Sequence, residues 1–281
     1  WGDFTDKTVA ARFIHANSDF ELVDSSFVID YLLEKDVKRY CRFCAVIKYM
    51  GLEIVAPNGN IEKGFIGIGN DLKGGSYFEV VTDDYKLLSE WIKRFSNKIT
   101  FYSECEPEYI KDMLGKYDVA NGIDAVPQAM YFGETLECKL PDDVIIRPLS
   151  GLDKDYILKW ANGKMNAYIK HLLNEKHYLD DATLEYGVFK DEELVAVAEC
   201  GIDEVHGVRL NNCCAIHFAD GKATDDMYRT IFSYVVNDVM NRGVLPFDDI
   251  QYGEYAKSHG NFTSDEMGFT IVNWSYTITE R

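Results

Sequence analysis

Two stretches of this chain are written to one plan. "VVTDDYKLLSEWIKRF" begins at residue 80 and "KATDDMYRTIFSYVV" at residue 222; each has Thr-Asp-Asp followed by an amphipathic helical pattern. Downstream, "ITFYSE" (99–104) answers "DIQYGE" (249–254). Two matches in the same order, each at a strand–helix joint, predict a pseudo-repeat of one supersecondary unit. A chain of 281 residues has room for two ordinary domains. The best linker is "GETLECKLPDDVIIRPLSGLDKD" (133–155), where Pro141 and two aspartates break regular structure. The expected halves are therefore 1–140 and 141–281.

The second half reads as β-α-α-β-β-β-α-β-α-β-β. "DKDYILKWAN" and "NAYIKHLLNEKHY" have helical spacing of apolar residues. "LEYGVFKDEELVAVAECGI" reads as a hairpin turning at Asp191–Glu192, and "VRLNNCCAIHF" as a third strand. In the helix after Thr224, the residues Met227, Tyr228, Ile231, Phe232, Val235, Val236, Val239 and Met240 make one broad face that is expected to be buried. Gly243 is placed to end it. "AKSHGNFTSDEM" is expected to be a helix, and "GFTIVN" and "SYTIT" two strands that finish this half. In the first half, "EPEYIKDMLGKY" reads as a helix and "QAMYFGETLE" as the closing strand. "GFIGIGNDLKGG" reads as a strand ending in a glycine-rich turn, because no helix follows its glycines at once.

The formal charge is −18. Such a surface repels nucleic acid and anionic membranes, which bind through clustered Lys and Arg. No apolar stretch approaches the roughly 20 residues of a membrane helix. The opening "WGDFTDKTVAARF" lacks the sections of a signal peptide. Seven cysteines, an odd number scattered through apolar segments, fit reduced thiols and a cytoplasmic protein. Cys41 and Cys44 have CxxC spacing but lie within a helical run, and no second Cys/His pair stands at zinc-ligand distance; buried thiols are expected and no metal site.

The place where the repeats differ carries the functional signal. Before Thr224 stands "FADGKA", whereas before Thr82 stands a plain strand. A helix N-terminus offers unpaired backbone N–H groups and partial positive charge, and Gly221 ahead of it lets a pyrophosphate approach, with Lys222 adding charge. The same residues also make an ordinary strand-to-helix turn, and Asp220, Asp225 and Asp226 would repel a phosphate.

With these pieces in order, residues 144–281 resemble the GNAT superfamily of acyl-CoA-dependent N-acetyltransferases. The resemblance lies in the "VIIRPL" strand, the hairpin, the strand entering a loop and long helix, and Met267-Gly268-Phe269 after the later helix. Gly221 and Ala223 occupy the last two places of a Q/R-x-x-G-x-G/A loop, and Phe218 replaces its Gln or Arg. The fold class implied is α/β (α+β): a GNAT-like mixed central sheet flanked by helices, in two pseudo-repeated GNAT-like halves. The family includes tandem proteins with one silent half.

The resemblance further implies acetyl-CoA as cosubstrate and a small-molecule acceptor, an amine foremost. Cofactor contacts would come from Ala215, Ile216, His217, Phe218, Gly221, Lys222, Ala223 and Thr224. The pantetheine would lie against Cys213–Phe218 as an added strand between splayed neighbours. Glu199 is the first candidate base, with Glu254 next and His217 a further titratable candidate. The family's proton-donating Tyr has no counterpart; Ser264 stands in its place and Tyr255 nearby. Trp160, Tyr168 and Tyr178 fall where the family walls its acceptor site. The alternative is a catalytically silent GNAT-like protein that binds a ligand or partner.

Overall fold

A computed structural model describes residues 9–70, 76–95, 98–119, 122–149, 160, 183–219, 222–250 and 264–278. The chain forms two compact units, one of residues 1–128 with 271–281 and one of residues 129–270. The segments expected as helices around 152–178, and most of "AKSHGNFTSDEM", lie outside the described residues.

The first unit runs α1 (Val9–Ala16), β1 (Phe20–Val23), α2 (Ser25–Met50), β2 (Glu53–Pro57), β3 (Phe65–Asn70) and β4 (Ser76–Val81). It continues through α3 (Tyr85–Arg94), β5 (Ile99–Ser103), α4 (Pro107–Gly115) and β6 (Ile123–Met130). The strands follow the order β1-β2-β3-β4-β5, then the last strand of the chain, then β6. β4 and β5 pair in parallel, Phe78 opposite Ile99 through Val80 opposite Phe101, so α3 is the crossover between them. Phe13, Phe20, Phe78, Trp91 and Phe95 meet at centroid distances of 5.1–6.1 Å, an aromatic core between helices and sheet. Cys41 and Cys44 are buried in α2, as expected, and burial pushes the Cys41 thiol up to about 12.

The second unit holds the antiparallel sheet β7 (Val144–Pro148), β8 (Thr183–Lys190), β9 (Glu193–Val205) and β10 (Val208–Phe218), in the order β10-β9-β8-β7. Then come α5 (Asp225–Asn241), β11 (Phe247–Asp249) and a 3-10 turn, Ser264–Met267. Of the expected face of α5, Tyr228, Ile231, Phe232, Val235, Val236 and Val239 are buried and pack with Tyr186, Ala198 and Ile216 of the sheet, while Met227 and Met240 are partly buried against the same core. Each such buried side chain stabilises the unit by about 2 kcal/mol. Gly243, at φ 69°, closes the helix: its N–H donates to Met240 and that of Val244 to Val239. Phe269 of the Met-Gly-Phe segment is buried between Tyr131 and Phe232.

Three expectations are corrected. "GFTIVN" and "SYTIT" are one strand, β12 (Thr270–Ile278), which pairs antiparallel with β5 from Trp274–Ser103 to Ile278–Ile99. The tail of the chain therefore belongs to the first unit, because period-two alternation reveals a strand and not its neighbour. "QAMYFGETLE" is strand only to Met130, at the end of β6. The described end of the "AKSHGNFTSDEM" segment is a 3-10 turn rather than α-helix.

Candidate functional site

The two strand–helix–strand segments that contain the Thr-Asp-Asp stretches differ in strand pairing among the described residues. In the first unit β4 and β5 stay paired across Phe78–Val80. In the second, β10 meets the chain entering β11 at a single parallel bridge, Leu210 with Leu245. Leu245 donates to the Arg209 carbonyl and Asn211 to the Leu245 carbonyl, at 2.9 and 3.2 Å. The side chain of Asn211 then replaces the next rung. Its amide donates to the Phe247 carbonyl at 2.6 Å, and its carbonyl accepts from the Phe247 N–H. Immediately after it, a bulge at Asn212 shifts the register between β10 and β9. From Cys213 to Phe218, β10 is the edge of its sheet, with no strand paired beyond it among the described residues. A polar side chain thus satisfies the backbone at the fork and lets the strands part.

The helix starts differ as well. In the first copy Asp84 caps α3, its carboxylate accepting from both Lys86 and Leu87 N–H groups. In the second, the neutral hydroxyl of Thr224 caps α5 by accepting from Met227 at 3.2 Å. Asp225 and Asp226 are exposed in the first turn, and neither carboxylate takes the cap. Ala219 and Lys222 are joined by a backbone bond of 3.1 Å, a tight turn before the helix.

A cavity of about 760 Å³ opens beside this start. Among the described residues its walls carry Lys139, Lys190, Lys222 and Arg229 with Glu137 and Asp226, and Lys139 and Lys190 pair with Glu137 and Asp143 at 2.7 and 3.2 Å. Lys222 pairs with Glu193 at 3.5 Å and Arg229 with Glu266 at 3.0 Å, both near the surface, where such pairs are weak and exchangeable.

The remaining candidates distribute as follows. Glu199 lies in the middle of β9, opposite Glu185 on β8 and Ala215 on β10. His217 pairs with Val197, one row further along the same face. Ile216 is buried in the α5 core, so only its backbone belongs to the edge. Phe218 packs on Tyr228 with ring centroids 6.0 Å apart, so the aromatic ring in the place of Gln or Arg extends the core instead of reaching the loop. Lys222, Ala223 and Thr224 are exposed at the helix entrance. Trp160 is half-buried. Gly221, Glu254, Tyr255, Tyr168 and Tyr178 lie outside the described residues.

Glu185 escaped the sequence reading. Its side chain is 7% exposed, and burial together with the charge of Glu199 pushes its carboxyl up to about 7. The available signal was its phase in "TLEYGVF", a carboxylate two positions before Gly187 in a strand that is otherwise apolar. On β11 a second carboxyl, Asp248, is pushed up to about 7 by burial and by Asp249.

No family model matches the chain, and no characterised protein matches it in sequence. Among solved structures it is similar to a GCN5-related N-acetyltransferase from Kribbella flavida, at 10% identity over 76% of this chain and 85% of that one, with a TM-score of 0.46. It is similar to a tandem GNAT protein from the clavulanic acid biosynthesis pathway, at 10% identity over 92% and 98%, with a TM-score of 0.47. A GCN5-related N-acetyltransferase-like protein from Streptococcus suis is similar at 9% identity over 90% and 97%, with a TM-score of 0.45. The second unit thus combines the strand order β10-β9-β8-β7 with a bulge at Asn212 and a single parallel bridge from β10 to the chain entering β11.

Proposed function

We propose that the second unit binds acetyl-CoA and transfers its acyl group to a small amine, while the first unit is a silent copy. The observation that carries this reading is the fork after Asn211: among the described residues no strand pairs with β10 beyond it, whereas β4 pairs with β5 in the first unit. An extended pantetheine arm can add to such an edge through main-chain hydrogen bonds. Backbone groups of Ala215, Ile216 and His217 would hold the arm. The α5 entrance, with Gly221, Lys222, Ala223 and Thr224, would face the pyrophosphate, and the cavity cations would balance its charge. When bound, acetyl-CoA supplies an activated thioester.

The chain's part is to orient the amine, take its proton and polarise the carbonyl. Glu199, on the strand next to the free edge, is positioned to accept that proton, with His217 one row away. Glu254, on the segment after β11, remains a candidate by resemblance alone. The reading includes a cytoplasmic location, which the free thiols of Cys41, Cys44 and Cys200 favour.

Phe218 in the core supports the second reading, a GNAT-like unit that binds without turnover. Melting curves with acetyl-CoA test the first step. A bound cofactor raises the melting temperature by mass action, and an unchanged curve at millimolar acetyl-CoA overturns both forms of the proposal that require it. Release of free thiol with an amine present then separates the enzyme from the silent binder.

A further inference from the structure

We infer that Glu185 and Glu199 together form a seat for a primary ammonium group, so that the acceptor is a cationic amine gripped from two adjacent strands. This inference rests on the acyltransferase reading for the identity of the cation as acceptor, but the seat itself stands on the geometry.

The two residues are direct register partners, Glu185 on β8 and Glu199 on β9, in a row that continues to Ala215 on β10. Directly opposed side chains in an antiparallel pair have Cβ atoms roughly 5 Å apart, and like charges so placed repel. Glu185 is almost wholly buried, and its Oε2 has no hydrogen-bond partner. Buried carboxylate oxygens are nearly always satisfied, so an orphan in a strand centre marks a place where something else donates.

No cation of the described residues fills that role. Arg147, on the same face of β7 opposite Gly187, is instead stacked over the Phe189 ring at 4.2 Å. His217 on β10 lies one row away on this face, and Asp203 on β9 beyond Gly201 adds a further acid. The local field is therefore negative.

The chemistry of the gap selects the ligand. No group of three His, Cys, Asp or Glu suited to a metal ion converges among the described residues. Two facing carboxylates suit a compact cation with several N–H donors, and a primary ammonium has three. Glu199 is only half-buried, whereas Glu185 is buried. One strand spacing, about 5 Å, separates the Glu199 row from the free edge of β10. A nitrogen seated there is within reach of an acyl group lying on that edge. The overall negative charge draws the same class of ligand inward.

The probe is n-propylammonium chloride at tens of millimolar and pH 8, with sodium chloride at equal ionic strength and n-propanol as controls. Propylammonium is expected to raise the melting temperature of the native protein beyond both controls. The rise should fall by more than half in Glu185→Gln and in Glu199→Gln, which keep side-chain shape. No rise beyond sodium chloride overturns the seat, and so does an equal rise in a folded variant. Should Glu185→Gln fail to fold, Glu199→Gln with its half-exposed side chain decides alone. Acetyl-CoA melting shifts run in parallel keep the two ideas apart. A lost acetyl-CoA shift with the propylammonium shift intact sinks the transferase reading and leaves the seat standing.

Discussion

At the scale of single residues, Asn211 does most to shape the site. Asparagine is disfavoured in strands, and the pair in "VRLNNCC" is visible in the sequence as an interruption. Its consequence was not legible, because the Phe247 backbone it satisfies lies 36 positions away. Replacing Asn211 by Leu keeps the branching and the heavy-atom count and removes the side-chain partners of the Phe247 N–H and C=O. The expected loss is about 2–6 kcal/mol of unfolding free energy, at about 1–3 for each group. Urea titration with an unchanged slope checks it, and a loss below about 1 kcal/mol would show that main-chain groups or water replace the amide. Glu185 was missed for the matching reason. A lone carboxylate in a strand gives no sign of its burial until register places it against Glu199.

At the scale of elements, one tripeptide does two jobs. Thr82-Asp83-Asp84 and Thr224-Asp225-Asp226 read identically, yet α3 starts after the Asp and α5 after the Thr. In the first copy the Thr82 hydroxyl donates to the Lys63 carbonyl and accepts from Asp84, which holds it away from the helix. Thr224→Ala is expected to cost about 1 kcal/mol through the lost cap. Thr224→Asp makes the second copy like the first. It should keep the melting temperature or raise it, while weakening acetyl-CoA about tenfold as a carboxylate takes the helix start. Equal affinity by calorimetry would place the phosphates elsewhere. The buried face of α5 and the Gly243 stop were legible because local spacing determines them. The destination of β12 was not, since Tyr276 stacks on Phe101 and the strand pairs with β5, both far off in sequence.

At the scale of the whole molecule, the acidity of the chain has two components that respond differently to salt. Exposed carboxylates account for most of the formal −18, and their repulsion is screened within about 8 Å at physiological ionic strength. Three carboxyls that burial shifts upward are screened much less. Glu79 in the first unit accepts from the Tyr102 hydroxyl at 2.9 Å and is still pushed by burial to about 7. Glu185 and Asp248 in the second unit are pushed to about 7. All three have folded values above the ordinary 4.5 or 3.8, so the folded state holds protons that the unfolded chain gives up. Their favourable contribution is full below about pH 4 and disappears as pH climbs to about 7, at about 1.4 kcal/mol for each unit of separation. The melting temperature should therefore fall from pH 5 to pH 7.5 and level off above. Because burial is the cause, the fall should persist in half-molar sodium chloride, whereas repulsion between surface charges would fade. Glu79→Gln keeps an acceptor for Tyr102 without an ionisable proton, and it should flatten the part of the curve that reports the first unit. A melting temperature that rises over this range, or a fall abolished by salt, would mean that these carboxyls reach water and ionise at ordinary pH.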